Sequence, residues 1–185
     1  MRIFSKQESI ALTVILSILF VVSYFNFAKA LVRSRDLERR NDIGAITKGL
    51  EDFRTDFASY PQSTKEGLIN ACNGGCVWGK DPLRDINDLT YPAYMNVIPL
   101  DPRTGDGYSY LYFSNGRRFQ IYATLEDAQG VEYDPKIVAM NLKCGTKICN
   151  FGRSSPETPL DKSIEQYENE LIQEQLRLRK LQLGK

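Results

Sequence analysis

SIALTVILSILFVVSYFNFA (residues 9–28), followed without a break by KALVRSRDLERRNDIGAITKGLEDFRTDFASY (residues 29–60), decides how this chain folds. The first piece carries no charge in twenty positions. As a helix rising about 1.5 Å per residue it is about 30 Å long, the thickness of a bilayer's hydrocarbon core. It reads as a membrane span. A secretory signal peptide is the competing reading: Ala28 and Ala30 are small enough for a cleavage site, but Lys29 separates them and the helical pattern runs on. In the second piece Ile43, Ile46, Leu50, Phe53 and Phe57 recur at steps of three and four, which puts them in one stripe facing a protein core. Charges of both signs surround the stripe (Arg35, Asp36, Glu38, Arg39, Arg40, Asp42, Lys48, Glu51, Asp52, Arg54, Asp56), so that face is expected in water. Tyr60 precedes Pro61, which drives the preceding residue out of the helical region and marks the helix end. Gly44 and Gly49 each weaken the helix by about 1 kcal/mol relative to alanine and mark sites of close packing or a bend.

The stripe needs a partner, and the chain supplies one further on. Tyr108, Tyr110 and Tyr112 alternate with Ser109, Leu111 and Phe113, Asn115-Gly116 is a turn signal, and RFQIYATL (118–125) alternates again with Phe119, Ile121, Ala123 and Leu125 on one side. This predicts a β-hairpin whose apolar side lies on the helix stripe, with IVAMNL (137–142) as a third strand. Residues 62–94 lose periodicity and gain Gly, Asn, Asp and Pro, as a long connection does. SSPETPLD (154–161) is linker-like. From 163 to 183 a last amphipathic helix is expected, with Ile164, Tyr167, Leu171, Leu178 and Leu181 at heptad-like positions interrupted by Glu174. That helix either lies on its own domain or meets a helical partner.

The fold class is therefore α+β: a long N-terminal helix, half transmembrane and half amphipathic, on a small antiparallel sheet, with a C-terminal amphipathic helix. The segments are a polar N-terminus (1–8), the membrane and core-packing helix (9–60), a globular domain (61–153), a linker (154–162) and the last helix (163–185). With 185 residues, one domain of modest core fits beside the span. Lys plus Arg at 24 against Asp plus Glu at 23 leaves nothing global to draw nucleic acid. No histidine occurs, which excludes histidine-dependent triads and histidine-ligated zinc. There is no nucleophile motif and no Gly-rich phosphate loop, so no enzyme is expected. The four cysteines, Cys72-x3-Cys76 and Cys144-x4-Cys149, fit two local disulfides best, with crossed pairing, zinc or free thiols as alternatives.

An apolar helix starting at the N-terminus and running unbroken into RDLERRNDIGAITKGLEDFRTDFASYP (35–61), with IPLDPRTGDGYSYLYF (98–113) after it, resembles type IV pilins and the pseudopilins of type II secretion. The resemblance covers about residues 4–127. It implies cleavage by a prepilin peptidase before Phe4 and a Glu at the fifth mature position, which Glu8 occupies, to meet a neighbouring subunit's amine. Ile3 stands where the family has glycine, and Ser5, Lys6 and Gln7 replace its apolar residues. The plainer reading of Glu8 is a helix-start carboxylate favoured by the dipole. Major pseudopilins also carry calcium beside the hairpin, and the corresponding loops here hold Asp101, Asp106, Glu126, Asp127 and Asp134; apart from that, no cofactor is expected.

Lys29, Arg33, Arg35, Arg39 and Arg40 form a basic cluster just past the span, suited to anionic lipid headgroups or to an acidic face of a neighbouring subunit. Counted against Arg2 and Lys6, these charges favour a cytoplasmic C-terminal domain; the cysteines and the resemblance favour the extracytoplasmic side of a single-pass cell-membrane protein. The functional expectation is a structural subunit of a surface filament or secretion pseudopilus, assembling with itself or other pilin-like subunits. The alternative is an unprocessed bitopic protein with a disulfide-stapled binding module.

Overall fold

The computed structural model describes residues 5–85, 87–88 and 90–183. Helix α1 runs from Lys6 to Phe57, 52 residues without a break at either glycine. Proline is absent from the whole of it, so nothing interrupts the ladder. Ser5 starts the helix: its hydroxyl accepts the Glu8 N–H, and the Glu8 carboxylate accepts the Ser5 N–H at 2.7 Å. The helix starts three residues before the expected span and stops three before Tyr60, where Ala58 turns left-handed and donates its N–H to the Arg54 carbonyl. One end of α1 is long and apolar enough to cross a membrane, and none of that stretch is buried.

The other end packs as the stripe requires. Ile43, Ile46 and Leu50 are fully buried and Phe53 packs on the core edge. Phe57 departs from expectation, being 40% exposed and resting on the Phe53 ring, centroids 4.4 Å apart. Its place is taken by Tyr60, which turns back beneath the helix end, buried and edge-on to Phe119 at 4.8 Å. Gly49 is a close-packing site: a Cβ there would meet Leu83 Cδ2 at 3.2 Å, whereas at Gly44 it would meet nothing within 4 Å.

The sheet is antiparallel in the order β1 (Leu111–Ser114), β2 (Phe119–Ala123), β5 (Phe151–Ser154). The β1–β2 hairpin closes through Asn115, whose side chain accepts the N–H groups of Arg117 and Arg118, and Gly116 at φ 87°. Every residue of β2 is buried, because both faces are covered. Phe119, Ile121 and Ala123 meet the α1 stripe, while Tyr122 joins Ile137, Cys144 and Cys149 on the opposite side.

Residues 137–142 do not form the expected third strand. Asp134 caps α2 (Pro135–Ala139) by accepting the Lys136 N–H at 2.8 Å, and Pro135 sits where a helix tolerates it. The third strand is β5, after the short hairpin β3 (Lys143–Cys144) and β4 (Lys147–Ile148). The linker-like stretch packs against the sheet: Ser155 and Thr158 are buried, and the Ser155 hydroxyl accepts the Phe119 N–H at 3.2 Å. Helix α3 (Ile164–Leu183) starts at Ser163, whose hydroxyl accepts the Gln166 N–H. Ile164 is buried and Tyr167 lies under the Arg118 guanidinium at 4.9 Å, but Ile172, Leu178 and Leu181 are exposed.

Candidate functional site

The heptad stripe of α1 does not stop at Ile43. Counting back by four and three gives Arg39, Asp36, Val32 and Lys29, so the face that carries Ile43 and Leu50 into the core also carries two charged residues into it. Arg39 has no exposed surface and Asp36 is 1% exposed. This corrects the reading of the charged turn as a wet face. Side chains this buried need partners for every donor and acceptor; the two supply one to each other, and loops at the edge of the sheet nearest the apolar half of α1 supply the rest.

Arg39 donates Nε to Asp101 Oδ2 at 2.8 Å and Nη2 to Oδ1 at 3.1 Å, a two-bond fork. Its Nη1 donates to Asp36 Oδ1 at 2.8 Å and to Glu126 Oε1 at 2.9 Å. Asp36 in turn accepts the backbone N–H groups of Glu126 and Asp127, both at 2.9 Å, which ties the loop after β2 onto the helix. Glu126 also accepts from Arg35 Nη2 at 2.6 Å and Arg103 Nη1 at 2.7 Å. Leu125, just ahead, is pinned by a two-way exchange with the Asn150 amide. Arg39, Arg103 and Lys147 all lie over the Tyr108 ring, the nearest at 4.7 Å. Three guanidinium groups (Arg35, Arg39, Arg103) thus balance three carboxylates (Asp36, Asp101, Glu126).

Burial works to lower the pKa of Arg39, but its bonds to Asp101 and Glu126 outweigh burial and raise it. For Glu126 burial pushes upward, and hydrogen bonds from Arg35, Arg39 and Arg103 pull the carboxyl down to about 2. With its donors and acceptors spent on one another, the cluster is a clamp between helix and sheet.

The carboxylates expected for calcium are therefore placed differently. Asp101, Asp106 and Glu126 do come together, but around arginine: Asp106 accepts from Arg103 at 2.8 Å and the other two surround Arg39. Asp127 accepts the Gln129 N–H, and Asp134 caps α2. Among the described residues no group of three or more ligating side chains surrounds a common point. The positive charge that a cation would bring is supplied by guanidinium groups.

The basic cluster shrinks for the same reason. Arg35 and Arg39 are engaged internally and Arg40 pairs with Glu132, which leaves Lys29 and Arg33 exposed and outside the ion pairs of the described residues. Phe4 lies outside the described residues. Glu8 caps its own helix. The cysteines form two local bridges, Cys72–Cys76 and Cys144–Cys149, each at 2.1 Å and neither crossed. No described cysteine is free. The signal for the clamp was the seven-residue spacing of 36, 43 and 50 and of 39, 46 and 53, legible had polar positions been counted with apolar ones. Set against protein-family models, curated proteins and solved structures, the chain returns no match.

Proposed function

We propose that this protein is a membrane-anchored, pilin-like structural subunit whose N-terminal helix packs laterally with others, with the sheet domain held on the extracytoplasmic side. The observation that carries the reading is the division of one unbroken helix into an unburied apolar part and a part locked to a small sheet. A rod joined so firmly to its domain transmits lateral packing of the apolar part directly to the domain's position. Two disulfides in a small domain suit an oxidising exterior. The resemblance of residues 35–61 and 98–113 to pilins and pseudopilins supports the same assignment.

N-terminal mass spectrometry of the native protein tests it. A mature chain beginning at Phe4 with a methylated amine is the expected result. Intact Met1 favours a second reading, an anchored module that never leaves the bilayer. The engagement of Glu8 with Ser5 supports that second reading, since it leaves this carboxylate less available to a neighbour's amine. In either case the exposed leucines of α3 are the surface offered to a helical partner.

A further inference from the structure

The clamp does more than join two parts. By holding Glu126 and Asp127 against Asp36, it suspends the 126–129 loop beside the helix turn immediately below. Between them is a cleft of about 360 Å³ lined by Ala28, Lys29, Val32, Arg33, Asp127 and Gln129, with Glu126 at its upper edge. Ala28 is the last residue of the uncharged stretch. Given the membrane reading above, on which this inference rests, the floor of the cleft lies at the boundary between hydrocarbon and water, where phospholipid headgroups are the prevailing solute.

The lining is matched to such a group. Ala28 and Val32 offer an apolar floor. Lys29 and Arg33 lie one turn apart and enter none of the ion pairs that engage Arg35, Arg39 and Arg40 among the described residues. Two like charges at that spacing disfavour one another unless an anion lies between them. On the loop side, the Glu126 carboxylate is spent on hydrogen bonds from Arg35, Arg39 and Arg103. Asp127 remains as the uncompensated carboxylate, with one oxygen on the Gln129 N–H. Two cations against one carboxylate leave a single positive charge, which a zwitterionic headgroup does not cancel and a monoanionic one does.

We propose that this cleft binds the headgroup of an anionic glycerophospholipid, its phosphodiester on Lys29 and Arg33 and a headgroup hydroxyl donating to Asp127. Phosphatidylglycerol has this chemistry. Free phosphate shares only the anionic part and lacks the apolar portion that would rest on Ala28 and Val32.

The test uses the full chain in detergent micelles, titrated separately with phosphatidylglycerol, phosphatidylcholine and inorganic phosphate, bound lipid being counted by native mass spectrometry. Phosphatidylglycerol is expected to bind about thirtyfold more tightly than phosphatidylcholine, from about 1 kcal/mol for each of the two basic residues. Inorganic phosphate is expected not to compete. Lys29→Gln with Arg33→Gln should abolish the preference, and so should Gln129→Trp, which fills the cleft while keeping both charges. Arg177→Gln with Arg179→Gln, the same charge change on α3, should leave it intact. Equal binding of the two lipids, competition by phosphate, or an unchanged preference in Gln129→Trp overturns the site while leaving the membrane anchor standing. Failure of the unaltered chain to enter bilayers at all, judged by flotation with vesicles, overturns both.

Discussion

Arg39 and Asp101, 62 residues apart in the chain, meet through two hydrogen bonds with both side chains shut off from water. A helix face and a loop that would otherwise repel apolar neighbours are thereby made into one surface. The arrangement is one-sided in its energetics: a complete buried ion cluster contributes little net stability, but taking out one member leaves the rest charged and unsolvated. Arg39→Met is therefore expected to destabilise the protein by about 3–5 kcal/mol, since it strands Asp36 and Asp101 in the core. Arg39→Lys should recover only part, because an ammonium cannot form the two-bond fork. Urea unfolding of the full chain in detergent, followed by near-ultraviolet circular dichroism, reads both. A loss under 1 kcal/mol for Arg39→Met would show that the cluster is not buried as described.

Acid should loosen the same joint. Glu126 titrates at about 2 in the folded protein against 4.5 for an unperturbed carboxyl, because its bonds to Arg35, Arg39 and Arg103 outweigh its burial. With the folded value depressed, the unfolded chain takes up the proton first, so the contribution is fully present above about pH 4.5 and disappears as pH falls towards 2. The amount is on the order of 3 kcal/mol. Measured between pH 7 and pH 2.5, unfolding midpoints should fall steeply below pH 4.5 in the unaltered chain. Glu126→Gln should start lower at pH 7 and show a flatter acid limb. Parallel limbs would mean that other carboxylates govern acid unfolding.

The long rod and the hairpin were legible in the sequence because apolar periodicity reports them directly: nothing breaks residues 6–57, and Phe119, Ile121 and Ala123 alternate as half-buried strands do. The clamp was not, because Asp36 and Arg39 obey the stripe's spacing while violating its chemistry, and a pattern read on hydrophobicity passes over them. The strand expected at 137–142 failed for a local reason: Asp134 and Pro135 form a helix start just ahead of Ile137, and a cap outranks β-branched propensity over so short a stretch. Strand β5, with Gly152 and Arg153 at its centre, has no pattern of its own and exists because the exposed edge of β2 needs a partner. Of the five acidic residues behind the calcium expectation, Asp101, Asp106 and Glu126 do converge; what the sequence did not reveal was that Arg35, Arg39 and Arg103 converge on them.

The two disulfides differ in how a reductant reaches them. Cys144 and Cys149 are both fully buried beside Tyr122, whereas Cys72 is partly exposed beside the buried Cys76. Brief exposure of the native protein to a phosphine reductant should open Cys72–Cys76 first, with Cys144–Cys149 surviving until the fold opens. Alkylation followed by peptide mass spectrometry gives the order. Loops this short are worth about 2 kcal/mol of chain-entropy stabilisation each, so Cys144→Ser with Cys149→Ser should cost about that much plus the loss of buried contacts. Simultaneous reduction of both bridges under native conditions would contradict the burial of the second.

The far half of α3 should be dispensable for folding, and its charges explain how it stays helical without a surface to lie on. Glu165, Glu168, Glu170 and Glu174 occupy the front of the helix, and Arg177, Arg179 and Lys180 the back. That distribution opposes the helix dipole at both ends and supports the helix independently of packing. Past Ile172, Leu176, Leu178 and Leu181 stand in the open at 45%, 50% and 63% exposure, and none belongs to either core cluster, so removing them takes nothing from the domain's core. A chain ending after Ile172 is expected to unfold within about 0.5 kcal/mol of the full-length protein. It should also lose whatever helical partner the full chain recruits, which cross-linking in intact cells would register as missing adducts. A large loss of stability on truncation would instead mean that the helix folds back and belongs to the domain's own core.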